Sequence, residues 1–134
     1  MRTYNSDIIG YINVFESVTK AKIKDCYQNR QLVFIVNEGE MGKAIGKKGS
    51  NGRRVNNLLK KTIRVVEFSN KPEIFIKNLI MPIKGKVYKE GERDVIIELG
   101  SNSDRASVLG KNKNNLKELK EVVSKYFDVD IKVK

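Results

Sequence analysis

The sequence contains no histidine and only one cysteine among its 134 residues. Without histidine, Ser-His-Asp and Cys-His catalytic arrangements and His-ligated zinc sites are excluded. Cys26 cannot form a disulfide within the chain, which fits a reducing compartment, and we expect it to be a small packing residue. The acidic residues are scattered, with no compact pair. The sequence therefore predicts no metal site, no cofactor and no enzymatic activity.

Long apolar runs are also missing. No run approaches the roughly 18–20 residues that a membrane-spanning helix needs. The segment Met1–Ile9 lacks the apolar core of a signal peptide. We therefore expect a cytoplasmic protein without a membrane partner.

Basic residues are abundant by contrast. Lys and Arg number 27 against 16 Asp and Glu, which gives a formal net charge of +11. This excess predicts a polyanionic partner, with nucleic acid as the first expectation and an anionic membrane surface as the second. Charge alone does not separate a protein with either partner from a ribosome-associated or merely soluble basic protein.

Hydrophobic residues make up 40% of the chain, enough for a packed core.

The hydrophobic pattern indicates one order of elements that occurs twice, namely helix, strand, strand, helix, helix, strand. The first half has a helix over 7–17, a one-sided strand over 20–25, a buried strand over 32–36, a helix with Val55, Leu58 and Leu59 on one face, and a strand over 63–68. The second half has a helix over 74–79, strands over 84–89 and 94–99, a short helix before Gly110, a helix over 116–123 and a strand over 129–133. The boundary lies at Ser69–Pro72.

The segment Ile45-Gly46-Lys47-Lys48-Gly49 lies between two predicted helices. Its glycines let the backbone turn sharply and let a phosphodiester approach the main chain closely. The amides at the start of the following helix favour anions, and the two lysines add charge at the same place. The segment therefore predicts a clamp for a run of sugar-phosphates.

Other glycine motifs fit this segment less well. A Walker A loop needs four residues between its glycines, but only three separate Gly42 from Gly46. Gly46, Gly49 and Gly52 give G-x-x-G-x-x-G, which differs from the dinucleotide fingerprint G-x-G-x-x-G. An ordinary glycine-rich turn between two helices remains the alternative, since a G-x-x-G tetrapeptide alone is common.

The setting of the motif resembles a known family. Strand, helix, G-x-x-G, helix and strand is the order in which KH domains clamp about four nucleotides of single-stranded nucleic acid. Residues 19–82 look like the first KH domain of the transcription factor NusA, and the second half resembles its second KH domain more loosely. The supporting stretches are Val33–Val36, Gly39–Gly42, Ala44–Gly49, Val65–Glu67, Pro72–Phe75, Asn78 and Pro82. Because both halves are covered, the archaeal two-KH form is the closer resemblance, without the polymerase-binding and S1 regions of bacterial NusA.

The resemblance implies an α+β fold of two tandem type II KH domains, each α-β-β-α-α-β, with three-stranded sheets packed on helices. We expect the first domain over 1–70 and the second, with a degenerate G-x-x-G loop, over 71–134. The implied ligand is single-stranded RNA, the implied role is regulation of transcription termination or elongation, and the RNA polymerase elongation complex is a further implied partner. We expect a monomer. A ribosome-associated or ribosome-biogenesis factor, a nuclease, and an adaptor with idle loops remain alternatives.

The resemblance also implies residue roles. Gly46, Lys47, Lys48 and Gly49 match the clamp loop. The other positions implied in RNA binding near this loop are Ile45, Ser50, Asn51, Arg53 and Arg54. Val55, Val65 and Val66 match apolar positions beside the groove, and we expect them to belong to the core first. Arg53 and Arg54 would serve equally well as a solvated helix face.

The sequence departs from the family pattern at two places. At the first, Gly52 replaces an apolar residue that usually packs the helix, and glycine weakens a helix by roughly 1 kcal/mol relative to alanine.

The second departure is in the second loop, which reads Gly110-Lys111-Asn112-Lys113, so that Lys113 replaces the closing glycine. We expect that side chain to restrict the backbone while still attracting phosphate as a point charge. The second domain is therefore expected to bind RNA weakly or to extend the basic surface.

The aromatic residues divide into two groups. Phe34, Phe68 and Phe75 lie in apolar runs and are expected in the core. Tyr27 and Tyr88 lie near predicted turns, where they could stack on bases.

Overall fold

The computed structural model describes residues 5–134. In this range the chain divides into two compact units, the first ending at Phe68 and the second beginning at Ser69. Each unit pairs α-helices with one three-stranded sheet, so the α+β prediction is confirmed. Residues 1–4 of the first predicted domain lie outside the described residues.

The first unit follows the predicted order of elements. Its elements are α1 (Ser6–Thr19), β1 (Ile23–Gln28), β2 (Leu32–Val36), α2 (Met41–Ile45), α3 (Ser50–Leu59) and β3 (Ile63–Glu67). The central strand β2 pairs antiparallel with β1 and parallel with β3. All five residues of β2 are buried, which explains why its sequence is apolar without alternation.

The helix α1 is defined at both ends by local chemistry. The Asn5 side chain accepts a hydrogen bond from the Ile8 N–H and caps the first turn. Lys20 ends the helix in a left-handed conformation, with its N–H bonded to the Glu16 carbonyl. In the core, the ring of Phe15 stacks on that of Phe34 at a centroid distance of 4.2 Å. This contact fixes α1 against the sheet.

The strand β1 departs from the alternation expected over 20–25. Its register with β2 shifts between Ile23 and Asp25, as a bulge does. As a result Asp25, Cys26 and Tyr27 are buried in succession. The Asp25 carboxylate accepts a hydrogen bond from the Cys26 N–H at 2.8 Å. The predicted packing role of Cys26 is confirmed, since its side chain is buried and free of any disulfide.

The inward face of α3 differs from the predicted one. Val55 is fully buried and Leu59 packs against the core, as expected. Leu58 was predicted on the same face but is 60% exposed. Helical geometry explains the difference, because Leu58 lies about 100° around the axis from Leu59.

The second unit repeats the order of the first. Its elements are α4 (Pro72–Ile80), β4 (Gly85–Glu90), β5 (Asp94–Leu99), α5 (Asn102–Leu109), α6 (Asn114–Ser124) and β6 (Asp130–Val133). The central strand β5 pairs antiparallel with β4 and parallel with β6. Phe75 of α4 contacts Tyr126 and Phe127 at centroid distances of 6.1 Å. Phe34, Phe68 and Phe75 are all buried, so their core assignment is confirmed.

Candidate nucleic-acid interface

The Gly46–Gly49 segment joins α2 to α3 on the surface of the first unit. Residues Lys47–Gly49 form a single 3-10 turn, and both lysine side chains are exposed. The turn is closed by backbone hydrogen bonds from the Gly46 N–H to the Gly42 carbonyl and from the Gly49 N–H to the Gly46 carbonyl. Two cations are therefore held at a tight turn between two helices.

Gly46 is required by the backbone and by its neighbour. Its φ of 75° and ψ of 175° lie in a region that only glycine adopts readily. A Cβ atom at this position would also lie 2.8 Å from the Asn51 side chain. The first glycine of the motif therefore allows both the turn and the close packing of Asn51 behind it.

Two side chains from the first turn of α3 brace the loop. The Asn51 amide donates a hydrogen bond to the Lys43 carbonyl at 2.8 Å, linking α3 back to α2. The Arg53 guanidinium donates to the Lys48 carbonyl at 2.7 Å. Both residues were predicted as phosphate or base contacts, and the structure places their side chains against the loop backbone.

The remaining predicted residues surround the loop in different environments. Arg54 is exposed on α3, and Ser50 is half-buried at its start. Ile45, the last residue of α2, is 38% exposed although it is apolar. Val55 and Val66 are buried, and Val65 packs against the core, as expected of core residues. Ile45 is therefore the predicted apolar residue that offers a surface beside the loop.

Glu40 anchors the segment that leads into α2, a role that sequence reasoning did not assign to it. Its carboxylate accepts a hydrogen bond from the Lys22 N–H at 2.8 Å and forms an ion pair with Lys43 at 3.4 Å. The hydrogen bond from Lys22 is the main cause that lowers the pKa of Glu40 below its usual value. The bond joins residues 18 positions apart, a contact that no local pattern reports.

The second loop has the same backbone as the first, 64 positions later. Gly110 has φ 73° and ψ 174°, Asn112 has φ 55° and Lys113 has φ 60°, against 75°, 54° and 75° at Gly46, Lys48 and Gly49. Lys113 therefore adopts the left-handed conformation of the glycine it replaces. The side chains of Lys111, Asn112 and Lys113 are exposed.

The brace behind the first loop also recurs in the second. The Asn115 amide donates a hydrogen bond to the Ser107 carbonyl at 2.9 Å, as Asn51 does to Lys43. A Cβ atom at Gly110 would lie 2.5 Å from the Asn115 side chain. Sequence reasoning did not select Asn115, although the same 64-residue offset that relates the two glycines relates the two asparagines.

Tyrosine stacking is not supported at Tyr27. Tyr27 is 6% exposed, because β1 continues to Gln28 and buries it opposite Val33. The prediction that Tyr27 stacks on bases is therefore wrong. Tyr88 is half-buried on β4, and its hydroxyl donates a hydrogen bond to the Glu98 carboxylate at 3.2 Å.

Two kinds of feature are absent from residues 5–134. No helix in this range is long and apolar enough to cross a membrane. No group of three or more His, Cys, Asp or Glu residues in it is arranged to hold a metal ion.

Comparison with a family model identifies the class of protein. The model of the KH domain matches residues 10–80, just over half of the chain. The match contains α2, the Gly46–Gly49 loop, α3 and β3, and extends through α4. It places the chain among the KH-domain proteins.

Curated relatives identify the particular family. Two proteins named probable transcription termination protein NusA are each 30% identical to this chain. The one from Methanococcus vannielii matches 94% of this chain and 83% of its own length. The one from Halobacterium salinarum matches 89% and 88%. A solved structure described as "Crystal structure of APE1850" is 32% identical, with a TM-score of 0.68 over 98% of this chain and 100% of that one. The chain belongs to the archaeal NusA family.

Proposed function

We propose that this protein is a tandem type II KH protein that binds single-stranded RNA through the Gly46–Gly49 loop of its first unit. The observation that carries the proposal is the loop itself, where Lys47 and Lys48 are exposed on a glycine turn within the region matched by the KH model. A run of phosphates lying along this turn would meet both cations and the nearby Arg54. The action is binding, with no bond made or broken.

The second unit is proposed as the second KH domain. Its order of elements and strand pairing repeat those of the first unit, which supports the domain limits 1–70 and 71–134. Gly110, Lys111, Asn112 and Lys113 form its loop, with two lysines exposed on the repeated backbone. Lys113 places a side chain where the first loop has none, so the second loop is proposed as the weaker RNA site.

The cellular role is proposed from the relatives. Several archaeal proteins that this chain matches over most of their own length are named probable transcription termination protein NusA. We infer that this chain acts in the cytoplasm as a monomer, on nascent RNA, and regulates transcription termination or elongation at the RNA polymerase elongation complex. The second candidate role, in ribosome biogenesis or on the ribosome, is supported by the net charge of +11, which suits any large RNA.

RNA binding is tested by fluorescence anisotropy with short single-stranded RNA at several salt concentrations. The test variant is Lys47→Asp with Lys48→Asp. The matched control is Lys71→Asp with Lys77→Asp, which makes the same change of formal charge at two exposed residues, Lys71 immediately before α4 and Lys77 within it. Circular dichroism checks that both variants remain folded.

The proposal expects the loop variant to lose most of its affinity while the control loses little. Equal affinities for the two variants would overturn it, because affinity would then follow total charge alone.

Copurification with RNA polymerase supports the transcriptional role, whereas copurification with ribosomal particles supports the second candidate. Metal-dependent cleavage of the same RNA would indicate an enzyme instead.

A further inference from the structure

The guanidinium of Arg53 is fixed at one atom and exposed elsewhere. Its Nη1 donates a hydrogen bond to the Lys48 carbonyl at 2.7 Å, while the side chain as a whole is exposed on α3. A guanidinium carries several N–H donors in a planar fork, so most of them remain available to a ligand after this bond. Lys47 and Lys48 are exposed on the same turn. An anion lying along the loop would therefore meet a fixed guanidinium as well as two flexible ammonium groups.

Gly49 gives the guanidinium its place. A Cβ atom at Gly49 would lie 3.2 Å from Nη1 of Arg53, the same atom that bonds to the Lys48 carbonyl. A contact this short is tighter than Cβ atoms usually make, so a side chain at this position would press on the guanidinium and shift it away from the carbonyl. The closing glycine of the motif therefore serves Arg53 as well as the turn.

The second unit has neither member of this pair. The 64-residue offset between the loops relates Gly49 to Lys113 and Arg53 to Lys117, an exposed lysine of α6. An ammonium group has all its donors on one nitrogen, so it cannot bond a carbonyl and present a planar fork to a ligand at the same time. Because the backbone angles of the two loops nearly agree, the loops differ in their side chains, and the pair of Gly49 and Arg53 is particular to the first.

A guanidinium fixed in this way suits a phosphodiester. Arginine binds phosphate bidentately through two parallel N–H groups, whereas lysine binds it as a point charge. A side chain that is already held in place loses less conformational entropy when the ligand arrives. The bond to the Lys48 carbonyl therefore favours phosphate binding by Arg53.

We propose that Arg53 binds one phosphate of the RNA bidentately while the Lys48 carbonyl holds its guanidinium in position, and that Gly49 provides the space this arrangement needs. The inference rests on the proposed RNA-binding function and deepens it. It names the pair of residues that makes the first loop a stronger phosphate site than the second.

Substitutions of Arg53 in the full-length chain test the phosphate contact, with random-sequence RNA octamers as the probe and anisotropy as the measurement. Arg53→Lys keeps the formal charge but removes the fork, and is expected to lower affinity about threefold to tenfold, as loss of one hydrogen bond predicts. Arg53→Met is expected in addition to reduce the slope of log affinity against log salt by about 0.7, as loss of one phosphate contact on a single strand predicts.

The matched controls are Arg93→Lys and Arg93→Met, at an exposed arginine in the turn between β4 and β5. They are expected to change affinity and slope little. Arg53→Lys with wild-type affinity would overturn the inference, because charge alone would then account for Arg53. A loss of stability to urea in Arg53→Met with an unchanged salt slope would also overturn it, because Arg53 would then be a structural brace only.

The second loop offers a gain-of-function test in the Lys47→Asp, Lys48→Asp background. Lys113→Gly and Lys117→Arg together are expected to raise RNA affinity by more than the product of their separate effects, although the formal charge falls. These variants are expected to stay folded, since glycine relieves the left-handed conformation at position 113. If Lys117→Arg has the same effect with Lys113→Gly as without it, the two positions act independently and the proposed pairing is wrong.

The same measurements distinguish this inference from the function beneath it. If Lys47→Asp with Lys48→Asp abolishes binding while both Arg53 variants bind as the wild type does, the clamp stands and the role of Arg53 is wrong. If none of these variants affects binding, the proposed function and the inference both fail.

Discussion

At the scale of single residues, the loop depends on Gly46 more than on any other position. Its backbone conformation is one that side chains rarely adopt, and the Asn51 side chain occupies the space that a Cβ atom would need. Gly42, one helical turn earlier on α2, has open space around its Cβ position. Gly46 is therefore required by its surroundings, whereas Gly42 can be replaced by a residue with a side chain. The two positions can be compared directly by the same substitution.

Gly46→Ala is expected to lower the free energy of unfolding by about 1–3 kcal/mol, through backbone strain and the clash with Asn51. Gly42→Ala is expected to raise it by about 0.5–1 kcal/mol through helix propensity. Urea denaturation followed by circular dichroism measures both. Similar effects of the two substitutions would show that Gly46 is not under special constraint.

Lys113 allows a test of the second loop at the same scale. A side chain in the left-handed region costs roughly 1 kcal/mol, and glycine removes that cost. Lys113→Gly is expected to increase RNA affinity when it is made in the Lys47→Asp, Lys48→Asp background, because phosphate can then approach the backbone. Anisotropy measures the change. A fall in affinity would show that the charge of Lys113 matters more than its backbone conformation.

Individual residues also show where sequence reasoning reached its limit. The clamp loop and its glycines could be predicted, because glycine and lysine spacing reports a turn directly. The burial of Tyr27 could not, because it follows from a register shift in β1 that depends on pairing with β2. The directions of Asn51 and Arg53 could not be predicted either, since a polar side chain beside a loop can face the ligand or the backbone.

At the scale of secondary-structure elements, a hydrogen bond from Asn51 holds α2 and α3 together as a pair. The amide of Asn51 reaches across the loop to the Lys43 carbonyl, and Asn115 repeats this link between α5 and α6. Because this hydrogen bond occurs in both units, we infer that it is a structural feature of the helix pair. It fixes the loop geometry from behind and leaves the outer surface to the lysines.

Asn51→Ala is expected to lower the free energy of unfolding by about 1 kcal/mol, which is the typical net contribution of one hydrogen bond. RNA affinity is expected to fall as well, because the loop loses its support. Asn57→Ala, at an exposed position of the same helix, serves as the control. If Asn51→Ala weakened RNA binding without any loss of stability, Asn51 would be a direct RNA contact instead of a brace.

The contribution of Glu40, which lies in the connection between β2 and α2, to the free energy of unfolding is expected to depend on pH. The folded-state pKa of Glu40 lies below the usual glutamate value of 4.5. Its ionised form therefore stabilises the fold above that value, and this stabilisation is lost as the pH falls through the folded-state pKa. Glu40→Gln is expected to be less stable than the wild type at pH 7, with the difference shrinking below about pH 4.

Thermal or urea unfolding of both proteins between pH 3 and pH 7 measures this difference. A difference that stays constant over that range would mean that the charge of Glu40 does not contribute. Lys43→Met, which removes only the ion pair, is expected to have the smaller effect, because the hydrogen bond from Lys22 is the larger cause of the shift.

At the scale of the whole molecule, the twofold order of elements could be predicted because each half carries the same hydrophobic periods. The β5 limits, Asp94–Leu99, agree with the predicted strand, and the helix starting at Pro72 uses proline where a first turn tolerates it. The open space beside Gly52, where a Cβ atom would meet nothing within 4 Å apart from its own helix backbone, could not be predicted. A glycine in a helix pattern shows only that a side chain is missing, and the space around it depends on packing.

The net charge of +11 has its own consequence for binding. Every variant described above is expected to retain weak, salt-sensitive RNA binding, because scattered lysines release counterions wherever RNA contacts them. Reversing Lys47 and Lys48 is expected to reduce the slope of log affinity against log salt by about 1.4, which corresponds to two lost phosphate contacts on a single strand. An unchanged slope would place the phosphate contacts elsewhere on the chain.

Whether RNA lies on the Gly46–Gly49 loop is tested by an NMR titration of the ¹⁵N-labelled chain with a short single-stranded RNA. If it does, the largest early shifts are expected on the amides of residues 45–54, with smaller and later shifts at residues 110–113. Shifts spread evenly over the exposed lysines, with none concentrated at residues 45–54, would contradict it.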